Sequence, residues 1–367
     1  MNHLRTVFTL FFITISELLT AQSYSKLWER IEQATKSDLP REAINIATTL
    51  ENKAIADGDL TQEMTALFVK MRLRGEISPD SALIDKERIA LRIQQITHPS
   101  DSLFWETFLA KTIAESYHFN YEERRKYSQK MLELLGNMES LHSIKSKSLT
   151  PLVKQGKDAD EFENDVLHML LFDGLDRANL SQQERTTLAS QAEAFYRSKH
   201  LYAGAIRFAL RYEDAEAVVT RYADRPENAI AYASWVEKLY AQADLSDNHA
   251  RQHLFSLAHE GIKKYGKHRD AKRIKAVVKK LENPTVNLTE SNLLCYPNLP
   301  MEWVVNANNI QKVSFDIYRC SADGKTLFNR IATLQSAFPK RETWRLQSDT
   351  LSLTLSEPGV YKLIQRG

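Results

Sequence analysis

The spacing of apolar residues changes once along this chain, near position 284, and the change limits the architectures open to it. Before it, apolar residues recur at helical intervals, which gathers them on one face of an α-helix. Ala43, Ala47, Leu50 and Ala54 form one stripe, and Met64, Leu67, Phe68 and Met71 another. Ile89, Ile93 and Ile96 continue the pattern, as do Trp105, Phe108 and Leu109, then Tyr127, Met131 and Leu134. Further stripes follow at Phe162, Val166, Met169 and Leu170, at Leu188, Ala192 and Phe195, and at Ala205, Phe208, Ala209 and Tyr212. The last of these is Tyr232, Trp235, Val236 and Leu239. The breaks between them carry helix-start chemistry. Ser181 and Glu184 have capping-box spacing. Pro40 and Pro79 fall where a first helical turn accepts proline. Glycine is scarce, at 11 of 367 residues, which suits long helices, since each helical glycine costs about 1 kcal/mol relative to alanine.

Asn283-Pro284 closes the last helix. Beyond it the rhythm is two: Val313, Phe315 and Ile317 share one face, and Leu351, Leu353 and Leu355 another. Asp323-Gly324 is a hairpin-type turn, and Glu357-Pro358-Gly359 separates two strands. The expectation is a multidomain α-then-β chain. A helical-repeat-like all-α scaffold covers 24–283, and a β-sandwich of about seven short strands covers 285–367. Trp303 and Trp344 lie in the second part, where one of them can fill the core.

The first 22 residues read as a secretory signal peptide. A positive start at Arg5 precedes an apolar stretch through Val7, Phe8, Leu10, Phe11, Phe12, Ile13 and Ile15, with small residues near Thr20-Ala21. The stretch is too short to span a bilayer. Export to the periplasm, envelope or exterior of a Gram-negative bacterium is the expected localisation, with no transmembrane segment after removal of the signal. Two cysteines, Cys295 and Cys320, could form a disulfide there or remain buried thiols.

Chemistry-bearing motifs are few. No phosphate-binding glycine loop, dinucleotide fingerprint, nucleophile elbow or His-Glu-x-x-His zinc signature occurs. The chain is therefore expected not to be an enzyme, and no catalytic, cofactor or metal residue is assigned. His249 and His253 are four apart and His259 follows, but no acid at metal-ligand spacing joins them, so they read as surface histidines. Overall charge is nearly balanced, 49 Lys and Arg against 47 Asp and Glu, giving +2. That balance makes no case for nucleic acid. One segment is biased: Lys263, Lys264, Lys267, Arg269, Lys272, Arg273 and Lys275 crowd a short stretch, with Lys279 and Lys280 beyond. It could contact an anionic partner, either phosphate-rich lipid or an acidic protein. The simpler reading, preferred from sequence, is a final helix that packs inward through Ile274, Val277, Val278 and Leu281 and leaves its other faces solvated.

Four segments carry a family resemblance. The opening Ser25-Lys26-Leu27-Trp28-Glu29-Arg30, with Asp38-Leu39-Pro40-Arg41-Glu42-Ala43 after it, resembles the start of large bacterial alpha-2-macroglobulin-like proteins. Asp160 to Leu170 resembles their mid-scaffold helix. Tyr296 to Pro300 through Val313 to Tyr318 resembles the lead into their first macroglobulin-type domain, and Glu357 to Leu363 its last strand. The resemblance implies a protease-trapping system whose partners are proteases or other macroglobulin domains. It also implies a thioester cysteine followed closely by Glu-Gln, and here the chain departs. Cys295 precedes Tyr-Pro-Asn and Cys320 precedes Ser-Ala-Asp. Neither bait region nor thioester is legible, so the resemblance implies the amino-terminal module of such a protein. A helical-repeat adaptor for envelope assembly is the alternative.

Overall fold

The computed structural model describes residues 23–366, apart from 115–120, 151, 154–163 and 291–295. The expected signal peptide, the start of the mid-scaffold segment and Cys295 therefore lie outside the described residues. Helices fill the chain to Glu282 and strands follow from Thr285, so α-then-β order is what the chain adopts. The compact units divide elsewhere, however, into 1–212 and 213–367.

The first unit begins with α1 (Tyr24–Lys36), α2 (Pro40–Asp57), α3 (Leu60–Ile77), α4 (Pro79–Gln94) and α5 (Pro99–Ala114). It continues through α6 (Tyr121–Glu133), α7 (Met138–Ser143), α8 (Val166–Arg177), α9 (Gln182–Ser198) and α10 (Tyr202–Ala209). Sequence neighbours pack on one another, α1 with α2, α2 with α3, α3 with α4, α5 with α6 and α9 with α10, as short connections require. Gly58 ends α2 in the left-handed region, at φ 69°, and Asp59 caps α3 by accepting from the Gln62 N–H. That two-residue break reverses the chain. Leu27, Ile31, Ala43, Ala47, Leu50, Ala66 and Leu73 form the core of α1–α3. The capping box at Ser181 and Glu184 starts α9 in the expected way.

This unit also buries charge. Lys70 on α3 donates to Glu51 on α2, and both side chains are almost fully enclosed. Arg92 grips Glu63 with two hydrogen bonds of 2.6 and 2.9 Å, and Arg74 donates to Asp85 at 2.6 Å. Burial pushes the Asp85 carboxyl up, against the pull of Arg74, Lys70 and Arg88.

The second unit holds α11 (Ala215–Arg221), α12 (Ala229–Gln242), α13 (Asn248–Tyr265) and α14 (Ala271–Glu282), then six described strands. These are β1 (Thr285–Glu290), β2 (Pro300–Asn308), β3 (Lys312–Cys320), β4 (Leu327–Ala337), β5 (Leu346–Thr354) and β6 (Val360–Arg366). They form two antiparallel three-stranded sheets, ordered β1-β2-β5 and β4-β3-β6. Both sheets feed one apolar cluster: Trp303, Val305, Ala307 and Leu351 from the first, Val313 and Phe315 from the second, with Phe338 between strands. Trp303 opposes Leu351 in register and Phe315 opposes Leu334, so the inward faces match across each ladder. The expected turn at Asp323-Gly324 joins β3 to β4, with Gly324 at φ 68°.

The four last helices belong with the strands for a physical reason. Trp344, between β4 and β5, packs on the α12–α14 core of Tyr232, Val236, Leu254, Val277 and Leu281. Of these two tryptophans, it is Trp303 that enters the sheet core. Arg251 on α13 is 7 % exposed and donates to the carbonyls of Leu281 and Trp344 and to Asn308 Oδ1. Asn308 in turn donates to the Leu281 and Asn283 carbonyls at 2.8 and 2.9 Å. Asn248 makes two bonds with the Leu346 backbone, 2.9 and 2.8 Å. Each buried polar group is satisfied only when helices and strands are together, so separating them costs heavily.

Candidate binding surfaces

The sequence-assigned basic residues divide into two kinds. Lys263, Lys264, Lys267, Lys272 and Lys275 are all exposed, whereas Arg269 and Arg273 are half-buried. Arg273 donates through Nε and Nη2 to Glu237 on α12, and through Nη1 to Asp270 at 3.1 Å. It is a structural tie, and these acids hold its guanidinium pKa up despite the desolvating effect of burial. The apolar residues Ile274, Val277, Val278 and Leu281 all face inward. The helix thus packs inward as the simpler reading required, and its outer face is a surface of lysines.

His249, His253 and His259 are exposed on α13, with the His259 ring 4.3 Å from that of Phe255. They lie on the helix surface without a carboxylate grouped among them. Cys320 at the end of β3 is a free, buried thiol, 3.6 Å from the Tyr318 carbonyl.

Two further surfaces had no assignment from sequence. The first is on the β unit. β4 and β5 are edge strands of their respective sheets, and between them lies a cleft of about 370 Å³. Phe328, Ile331, Ala332, Leu353 and Leu355 line it, with the Arg319–Glu357 ion pair at its margin. Phe328 is 55 % exposed, and Leu327, Ile331 and Val360 are also exposed. Behind this edge, Asp316 on β3 accepts from Thr333 at 2.7 Å and pairs with Arg366 and Arg330. The Thr333 bond and those two charges hold its carboxyl below the usual range despite burial. An edge strand carrying large exposed apolar side chains is a template for pairing with another chain. The signal in the sequence was a lapse in alternation, with Leu327, Phe328 and Ile331 apolar where a half-buried strand would alternate strictly.

The second is a groove of about 650 Å³ on the helical unit, with Glu51, Glu63, Arg88 and Arg92 at its polar centre and Ile55 and Leu91 on its walls. Both apolar residues are more than half exposed. No sequence motif marks this groove, because its residues come from three helices.

Among the described residues no helix is long and apolar enough to cross a membrane. Comparison with protein-family models, curated proteins and solved structures found no match.

Proposed function

We propose that the chain is a non-enzymatic amino-terminal module of an alpha-2-macroglobulin-like protease-trapping protein. In this reading the helices are a scaffold, and the β unit is a macroglobulin-like sandwich that docks to neighbouring protein domains. The observation that carries it is the open β4 edge, with Leu327, Phe328 and Ile331 exposed beside the cleft against β5. Paired sheets around a single core, and strands at the positions where the resemblance expects them, give it further support. The chain works in an exported setting, behind its apolar leader.

The test mixes the purified chain with a panel of endopeptidases and, separately, with macroglobulin-type β-domain fragments. The reading expects a stable complex with the β-domain fragments, lost when Phe328→Ser and Ile331→Ser are combined. If neither proteases nor fragments bind, the reading is wrong. The helical groove around Arg88 and Arg92 favours a second reading, an adaptor for protein assembly in the envelope. A pull-down from envelope extracts separates the two, since an adaptor recovers assembly factors without macroglobulin-type proteins and loses them on Arg88→Glu.

A further inference from the structure

We infer that the outer face of α4 pairs antiparallel with the same face of a second copy of this chain. This is independent of the docking role assigned to the β edge. α4 is apolar on two sides. Ile89 and Ile93 are buried, with Asp85, inside the helical unit. Ile84 and Leu91 lie on the other side, 68 % and 60 % exposed. They stand seven residues apart, which is two helical turns, and so share one stripe. Asp80, Glu87, Arg88 and Gln95 are also exposed. Each is three or four residues from Ile84 or Leu91, which puts it on the same face. Beside Leu91 the groove adds exposed Ile55 of α2, so the apolar surface extends past one helix.

The order of residues along the stripe fits a second copy. A two-fold axis through the Glu87–Arg88 peptide sets the two helices antiparallel. Ile84 then meets Leu91 of the second copy, Glu87 meets its Arg88, and Asp80 meets its Gln95, each contact occurring twice. Apolar groups face each other, acid faces base, and a carboxylate faces an amide that can donate to it. A parallel pair would set Glu87 against Glu87 and Arg88 against Arg88. Arg88 has charge to offer: it donates through Nη2 to Glu51, whose carboxylate buried Lys70 already meets. The other charges at the groove are engaged within one copy. Arg92 holds Glu63, Arg74 holds Asp85, Asp57 pairs with Lys53 and accepts from Tyr24, and Asp59 caps α3. Lys86 lies off this face, lining a second groove with Ala90. A single helix pair makes a small interface, so association is expected near the micromolar range.

The experiment is sedimentation velocity on the full chain over about 1–100 μM. A species of twice the single-chain mass is expected to grow in over that range. Ile84→Lys and Leu91→Glu should each weaken association by about 100-fold, from about tenfold at each of the two symmetric contacts. Both side chains are more than half exposed, so circular dichroism should match the parent. Mixed in equal amounts, the two variants should pair again. The introduced lysine then meets the introduced glutamate, while the remaining Leu91 and Ile84 meet each other. A parent that stays monomeric at about 100 μM overturns the proposal, as does a single variant that pairs like the parent. A mixture that fails to pair also overturns it, because the antiparallel register requires that match. So does a dimer dissolved by Phe328→Ser with Ile331→Ser and not by these variants, which moves the contact to the β edge.

Discussion

His168 shows how one side chain can tie stability to pH. It is fully buried against Phe172, Tyr196 and Phe208, with ring centroids 5.6, 5.4 and 5.1 Å away. Burial, helped by the Arg207 charge, depresses its pKa to about 3. Above the unfolded value of about 6.5 neither state binds the proton, and the histidine costs nothing. As pH falls below that value the unfolded chain is protonated and the folded one is not, so stability drops until about pH 3, by about 5 kcal/mol in all. Thermal unfolding followed between about pH 7 and pH 4 should show this slope, and His168→Phe should flatten it. A variant with an unchanged slope would remove His168 as the cause. Its burial was only partly legible in the sequence. It stands between the apolar stripe residues Val166 and Leu170, but Tyr196 and Phe208 reach it from the two helices that follow, which only packing brings against it.

Between elements, the buried Glu51–Lys70 pair ties α2 to α3. Glu51 also accepts from Arg88 on α4. Removing one partner leaves the other charged and enclosed, which costs about 3–5 kcal/mol. Glu51→Gln should therefore destabilise the helical unit by that amount in chemical denaturation. The double replacement Glu51→Leu with Lys70→Met should recover most of it, because two apolar side chains need no partner there. Additive losses instead of recovery would mean that the pair contributes more than its own desolvation costs. The stripes that define α2 and α3 were plain from spacing alone, as Ala43, Ala47, Leu50 and Ala54 show. The ion pair was not, since Glu51 and Lys70 sit on ordinary-looking polar positions until the helices are brought side by side.

At the level of the whole molecule, the change of rhythm near 284 marks a change of secondary structure within one compact unit. Arg251, Asn308, Asn248 and Trp344 join helices to strands on either side of it. A fragment spanning 213–367 should therefore fold cooperatively. One spanning 285–367 should not, because Asn308 and the Trp344 face would lose their partners. Circular dichroism and tryptophan fluorescence on the two fragments test this, and a shorter fragment that melts cooperatively would contradict it.

Periodicity was enough to determine helix and strand, because the side-chain repeat of each element is a local property of the backbone and needs no distant partner. With the local turn and capping residues it also placed the turn at Gly324, the capped start of α9 and the inward stripe of α14. What only tertiary structure decided are the relations among elements: which tryptophan fills which core, which arginines are consumed internally, where one compact unit ends, and which strand edge stays open. Those outcomes depend on groups brought together from positions far apart in the chain, and hydrogen-bond satisfaction and exclusion of water act on them only after the elements have packed.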